Sequence, residues 1–173
     1  MALGLLISPH DAPEATIKRV RDMGFSNCFL SLDGYISKFT SDAAIQIGEL
    51  LAKYDVIPTT VEVVGPGPLE WNFVQGPSTI GVVPPKTRAG RIDALKQLSD
   101  FARLLGISQV QTHCGFIPEN PADALYFGSV EAIRTVAQHC LSNGQKFLTK
   151  TGFTSRITRD IVVEAHIQSC VGT

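Results

Sequence analysis

The sequence has no surplus of charge of either sign. Fifteen Lys and Arg stand against sixteen Asp and Glu, a net charge of −1. No basic field is available to hold a phosphate backbone, which argues against nucleic acid as a partner. No apolar run reaches the ~18 residues that a membrane span requires, so no membrane is expected. The apolar start, MALGLLISPH, has no basic leading region and no small-residue cleavage site. It reads as a first strand, not a secretory signal. Paired cysteine motifs are missing as well. Cys28, Cys114, Cys140 and Cys170 are far apart, with no CxxC, which excludes the usual zinc-cluster spacing. Reduced thiols in a cytoplasmic protein are the expectation. There is no GxGxxG, no GxxxxGK[ST] and no GxSxG. That weakens nucleotide binding and serine hydrolysis as functions.

What the sequence does have is one recurring unit. A helical stretch ends at Gly or Asp, and a short β-rich run follows. The joins are DMGFSNCFL, KYDVIPTTV, LLGISQVQT and SNGQKFLTK. Gly24, Gly106 and Gly144 are placed as the residues that close helices in a left-handed conformation, and Asp55 takes the same position in the second unit. Asp11 and Glu14 have capping-box spacing, Thr40 or Ser41 can cap the second helix, Pro84-Pro85 precedes the third, and Asn120-Pro121 opens the fourth. Strands are expected near 3–8, 27–32, 57–64, 108–114 and 146–150. A fifth helix is expected from about Ser155 to Cys170.

Strands separated by helices of this length make βαβ units and a parallel sheet. Five such units suit an open doubly wound sheet of flavodoxin-like type. They equally suit part of an eight-unit barrel, which takes ~250 residues in full. Periodicity does not choose between the two.

In either architecture, reactive groups gather at the carboxyl ends of the strands. Asp33, Glu62, His113 and Lys150 lie there. Alternation along a strand puts Gln111 and His113 on one face, and Thr60 and Glu62 on one face. A histidine so placed can move a proton or orient a hydroxyl. The connection GPGPLEWNFVQGPSTIGVVPPKTR is longer than ordinary loops and holds the only tryptophan. Connections of this length tend to be functional. Leu69, Trp71, Phe73 and Val74 suggest a packed loop over a pocket.

The stretches EVVGPGPLEWNFVQGPSTIGVVPPKTRAGRI, LKQLSDFARLLGISQVQTHCGFIPENP and VEAIRTVAQHCLSNGQKFL resemble the xylose isomerase-like barrel superfamily, and within it the sugar phosphate isomerase/epimerases. The resemblance runs to about residue 148, and THCGFIPENP and the long third loop are its most specific parts. It implies a partial (βα)8 TIM barrel of about five units: one incomplete domain over 1–173, with a divergent tail at 149–173. It implies metal-dependent aldose–ketose isomerisation or epimerisation of a sugar or sugar phosphate. A divalent Mn or Mg ion is expected for full-length members. In similar proteins the fifth strand reads like FLFETGQET, and its Glu is the first metal ligand. Here the run is FLTKTGFTS, with Lys150 in that place. An ammonium is a poor ligand for a hard cation.

The expectation is therefore no metal in this chain, no residue assigned to catalysis, and substrate contacts from Glu62, His113 and Trp71. The chain alone is expected to be inactive, or to serve as a non-catalytic sugar-binding module or a truncated remnant. Five strands do not close a barrel, so apolar inner layers should meet water and favour homo-oligomers through the open edges.

Overall fold

The structure, a computed structural model, describes residues 3–150. The expected helix over 155–170, and Cys170, lie outside the described residues. Five parallel strands form one sheet in the order β1-β2-β3-β4-β5. They are β1 Gly4–Ile7, β2 Asn27–Ser31, β3 Ile57–Glu62, β4 Gln109–His113 and β5 Lys146–Lys150. The long helices between them are α1 Pro13–Asp22, α2 Ser41–Lys53, α4 Pro85–Leu104 and α5 Ala124–Ser142. A 3₁₀ turn over Asp33–Lys38 and a short helix, α3 Gly76–Thr79, were not foreseen from the sequence.

The strand order decides the architecture. A flavodoxin-like sheet starts in its interior and reverses direction, which places helices on both faces. Here each new strand is added beside the previous one. Right-handed crossovers then put the four long helices on the same face, as in a barrel wall. The sheet is open among the described residues, consistent with a partial TIM barrel.

Apolar periodicity explains how the layers join. In the register, Leu5 pairs with Cys28, Leu30 with Val61, Val61 with Val110, and Val110 with Phe147. These side chains face the helices. Ile17 and Val20 of α1, Ile47 of α2, Leu95 and Leu98 of α4, and Ile133 and Val136 of α5 close over them, all buried. Each such side chain contributes ~1.5–3 kcal/mol. The helix ends follow the expected chemistry: φ is +84°, +70° and +71° at Gly24, Gly106 and Gly144, and 51° at Asp55.

Two helix starts differ from expectation. Asp11 does not cap α1; its carboxylate lies 2.9 Å from His10 Nε2, and the cap position falls on Ala12. Asn120-Pro121 forms a turn, and α5 begins after Asp123, whose Oδ1 accepts from the Leu125 amide at 2.7 Å. Thr40 caps α2, accepting from the Ala43 amide at 3.2 Å.

The face opposite the helices, the inner side of a barrel wall, also differs from expectation. Alternation places Thr60, Glu62, Gln109, Gln111 and His113 there, with Leu6, Phe29, Ile57 and Leu148 as its apolar members. This surface is largely polar, not an apolar layer stripped of cover.

Candidate functional site

A register shift in β3 builds the site. Cys28 pairs with Pro58 and Phe29 with Thr60, which leaves Thr59 as an extra residue whose hydroxyl donates to Cys28 O at 3.0 Å. A bulge of this kind re-aims the strand beyond it. Thr60 and Glu62 then project inwards beside Gln109 and Gln111 of β4. Thr60 Oγ1 donates to Gln109 Oε1 at 3.1 Å, and Gln111 Nε2 donates to Glu62 Oε2 at 2.9 Å. His113 is one step nearer the mouth, its Nε2 3.9 Å from Glu62 Oε2. Lys150 of β5 is in register with His113.

Burial sets the electrostatics. Glu62 is only 6% exposed. Desolvation pushes its carboxyl above the ordinary carboxylate range, against the opposing pull of the Lys150 charge and the Gln111 hydrogen bond. Desolvation also pushes the His113 imidazole down to about 4, and Lys150 acts in the same direction. At neutral pH His113 is therefore uncharged. With one ring nitrogen donating and the other accepting, it suits a hydroxyl ligand better than a carboxylate.

The long connection after β3 supplies the rim. Trp71 meets His113 edge-on, with ring centroids 4.8 Å apart and planes at 73°. The packed-loop expectation needs correction. Trp71 is 51% exposed, Phe73 77% and Val74 89%. The parts of the loop that pack are Ile80, Val82 and Val83, all buried. This segment docks alongside the residues after β4: the Val82 amide donates to Cys114 O at 3.0 Å. Gly81 makes the approach possible. Its φ is +72°, and a Cβ there would lie 2.0 Å from Cys114 O.

Sequence reasoning missed the residues that shape this loop. Arg91 of α4 is fully buried and donates to the carbonyls of Pro66, Pro68, Thr79 and Gly81. Arg88 donates to Val82 O at 2.7 Å and to Val83 O. Asp33, read from the sequence as a strand-end polar group, faces the same loop. Its Oδ1 accepts from the Val64 and Gly65 amides at 2.7 and 3.0 Å. The only available signal was two arginines, three apart, near the start of a helix that follows a Gly- and Pro-rich loop.

The three thiols among the described residues lie apart from this site. Cys28, Cys114 and Cys140 are buried, and desolvation pushes them up to about 12, 12 and 11. No cluster of three or more His, Cys, Asp or Glu suited to a metal ion occurs among the described residues. No helix there is long and apolar enough to cross a membrane.

No protein-family description and no curated protein matches the sequence. Solved structures do match the fold. A xylose isomerase domain protein from Planctomyces limnophilus superposes with a TM-score of 0.82 at 21% identity, covering 95% of this chain and 58% of that one. The fold is that of part of a TIM barrel, similar to those of xylose isomerase-like proteins. A D-psicose 3-epimerase, solved in the presence of D-fructose, gives 0.69 at 13% identity, covering 97% and 61%. A xylose isomerase-like TIM barrel protein from Mycobacterium smegmatis, in complex with magnesium, gives 0.69 at 14%, covering 96% and 62%. An AP endonuclease of family 2 from Brucella melitensis gives 0.67 at 13%, covering 96% and 66%. This chain thus spans about three-fifths of the length of the xylose isomerase-like barrels it superposes on.

Proposed function

We propose that this chain is the substrate-facing part of a sugar isomerase or epimerase of the xylose isomerase-like type, and that alone it binds a sugar without converting it. The observation that carries this reading is the row Glu62, Gln111 and His113 at the carboxyl ends of β3 and β4, with the Trp71 edge beside it. Carboxylate, amide and neutral imidazole offer both donors and acceptors to hydroxyl groups, and an indole gives an apolar surface for a sugar's C–H face. The similarity in fold to an epimerase solved with D-fructose supports a sugar as ligand.

A divalent ion would supply electrophilic polarisation of the sugar oxygens in such a reaction. The described residues do not fit one. Glu62 and His113 are two donors only, one Glu62 oxygen is already taken by Gln111, and Lys150 brings a positive charge to the same mouth. The roles left to this chain are to bind and orient hydroxyl groups.

Two titrations test the reading. Calorimetry with D-fructose should give saturable one-site binding that Glu62→Ala and His113→Ala each weaken at least tenfold. Calorimetry with Mn²⁺ should give no tight one-site isotherm. Tight metal binding would refute the inactive reading, and absence of any sugar binding would refute the site.

The AP endonuclease similarity favours a second reading, phosphodiester cleavage. A net charge of −1 provides little attraction for a nucleic acid backbone. Cleavage of an abasic duplex by this chain would reverse the order of the two readings.

A further inference from the structure

We propose that Arg91 is a positioning residue for the candidate site: it ties together the entry and exit of the 66–81 excursion and so fixes Trp71 against His113. Nε donates to Pro66 O at 3.2 Å and Nη2 to Pro68 O at 3.1 Å, both on the outgoing limb. Nη1 donates to Gly81 O at 2.6 Å and Nη2 also to Thr79 O at 2.5 Å, both on the returning limb. One planar guanidinium therefore spans both limbs, and Trp71 lies between them in sequence.

The loop is shaped to admit this side chain. A Cβ at Gly65 would come within 2.6 Å of Arg91 Cγ. Asp33, which holds the Val64 and Gly65 amides, also favours the Arg91 charge electrostatically. Burial disfavours that charge, and no carboxylate lies within ion-pair distance of it among the described residues. A buried guanidinium satisfied by backbone carbonyls is an uncommon arrangement for a loop that only needs to connect two elements. It suits a loop whose geometry at the tip matters. Lysine has three donors on a single nitrogen and cannot reach four carbonyls on two limbs.

The importance of Trp71 to a ligand rests on the sugar-binding reading, but the positioning itself can be tested without ligand. Trp71 is the only tryptophan, so its fluorescence reports on the loop alone. Arg91→Met and Arg91→Lys would be examined by far-UV circular dichroism, by acrylamide quenching, and by the NMR shifts of the His113 ring protons, which the Trp71 ring current displaces. The expected result is a native far-UV spectrum, at least a twofold rise in the quenching constant, and movement of the His113 signals towards unperturbed positions in both variants. A folded Arg91→Lys protein with wild-type quenching and wild-type His113 shifts would overturn the proposal. So would failure of both variants to fold, because Arg91 would then be a core residue and not a positioning one. The Kd for D-fructose should rise at least fivefold in Arg91→Lys. If the wild-type protein binds no D-fructose, the sugar reading fails while the fluorescence result still decides the role of Arg91.

Discussion

His113 and Glu62 respond to burial in opposite ways, and the pH dependence of stability should show both. The imidazole titrates at about 4 in the folded chain, against an ordinary value of 6.5. Between those values the unfolded state holds more protons, so the His113 contribution is intact above pH 6.5 and is lost as pH falls towards 4. The full loss is about 3 kcal/mol. Glu62 is raised instead, chiefly by burial. Its folded form keeps a proton that the unfolded form has lost, so its contribution declines as pH rises above the ordinary carboxylate range. Urea denaturation from acid to neutral pH should show a weaker acid-side decline in His113→Gln and a weaker decline on the other side in Glu62→Gln. Wild-type slopes in both variants would mean that neither group is buried as described. Asp33 makes a separate prediction. Asp33→Ala leaves the Val64 and Gly65 amides without their carboxylate acceptor. It should cost about 2–3 kcal/mol, seen as faster hydrogen exchange at those two amides and a lower Tm.

Among the connecting elements, the loop after β3 separates two kinds of glycine. Gly144 has φ +71° and nothing within 4 Å of where a Cβ would stand, whereas Gly81 has nearly the same φ with Cys114 O 2.0 Å away. Gly144→Ala should therefore cost only the left-handed penalty, about 1 kcal/mol. Gly81→Ala should cost at least about 3 kcal/mol, because the loop must leave its seat beside Cys114. At roughly 2–4 °C per kcal/mol for a chain of this size, thermal melts separate the two readily. Equal losses would mean that the docking is unimportant. The strands and long helices were legible in the sequence because apolar periodicity and helix-closing glycines agree at each join. The helix starts were less legible. Asp11 and Asn120 have the side chains of caps, but a neighbouring His10 and a local turn claim them instead. The 3₁₀ turn over Asp33–Lys38 lacks a periodic apolar stripe, and the partners of Arg91 are carbonyls, which leave no mark in a sequence. Glu62 and His113 were legible as strand-end residues, and their neighbour Gln111 as a face-mate. That Trp71 would reach His113 depended on the loop's path, which no local rule supplies.

Over the whole molecule, the described sheet has two free edges, β1 and β5, and an inner face with few apolar residues. Leu6 is 55% exposed on that face. Unpaired edges next to apolar side chains promote self-association. The isolated 173-residue chain should show a mass that rises with concentration in light scattering, and Leu6→Lys should move it towards monomer. A constant monomer mass at all concentrations would remove oligomer formation as a consequence of the open sheet. The sequential strand order also bears on synthesis. Each strand leaves the ribosome after the one it pairs with, so the sheet can grow outwards from β1 and β2. Paired residues are 31 apart from Leu30 to Val61 and 37 apart from Val110 to Phe147, but 49 apart from Val61 to Val110. At ~5–20 residues per second, the nascent β3 edge waits roughly 2–10 seconds for its partner, longer than any other strand here. The long loop that carries Trp71 thus also sets the interval in which a newly made chain is most open to a stray strand.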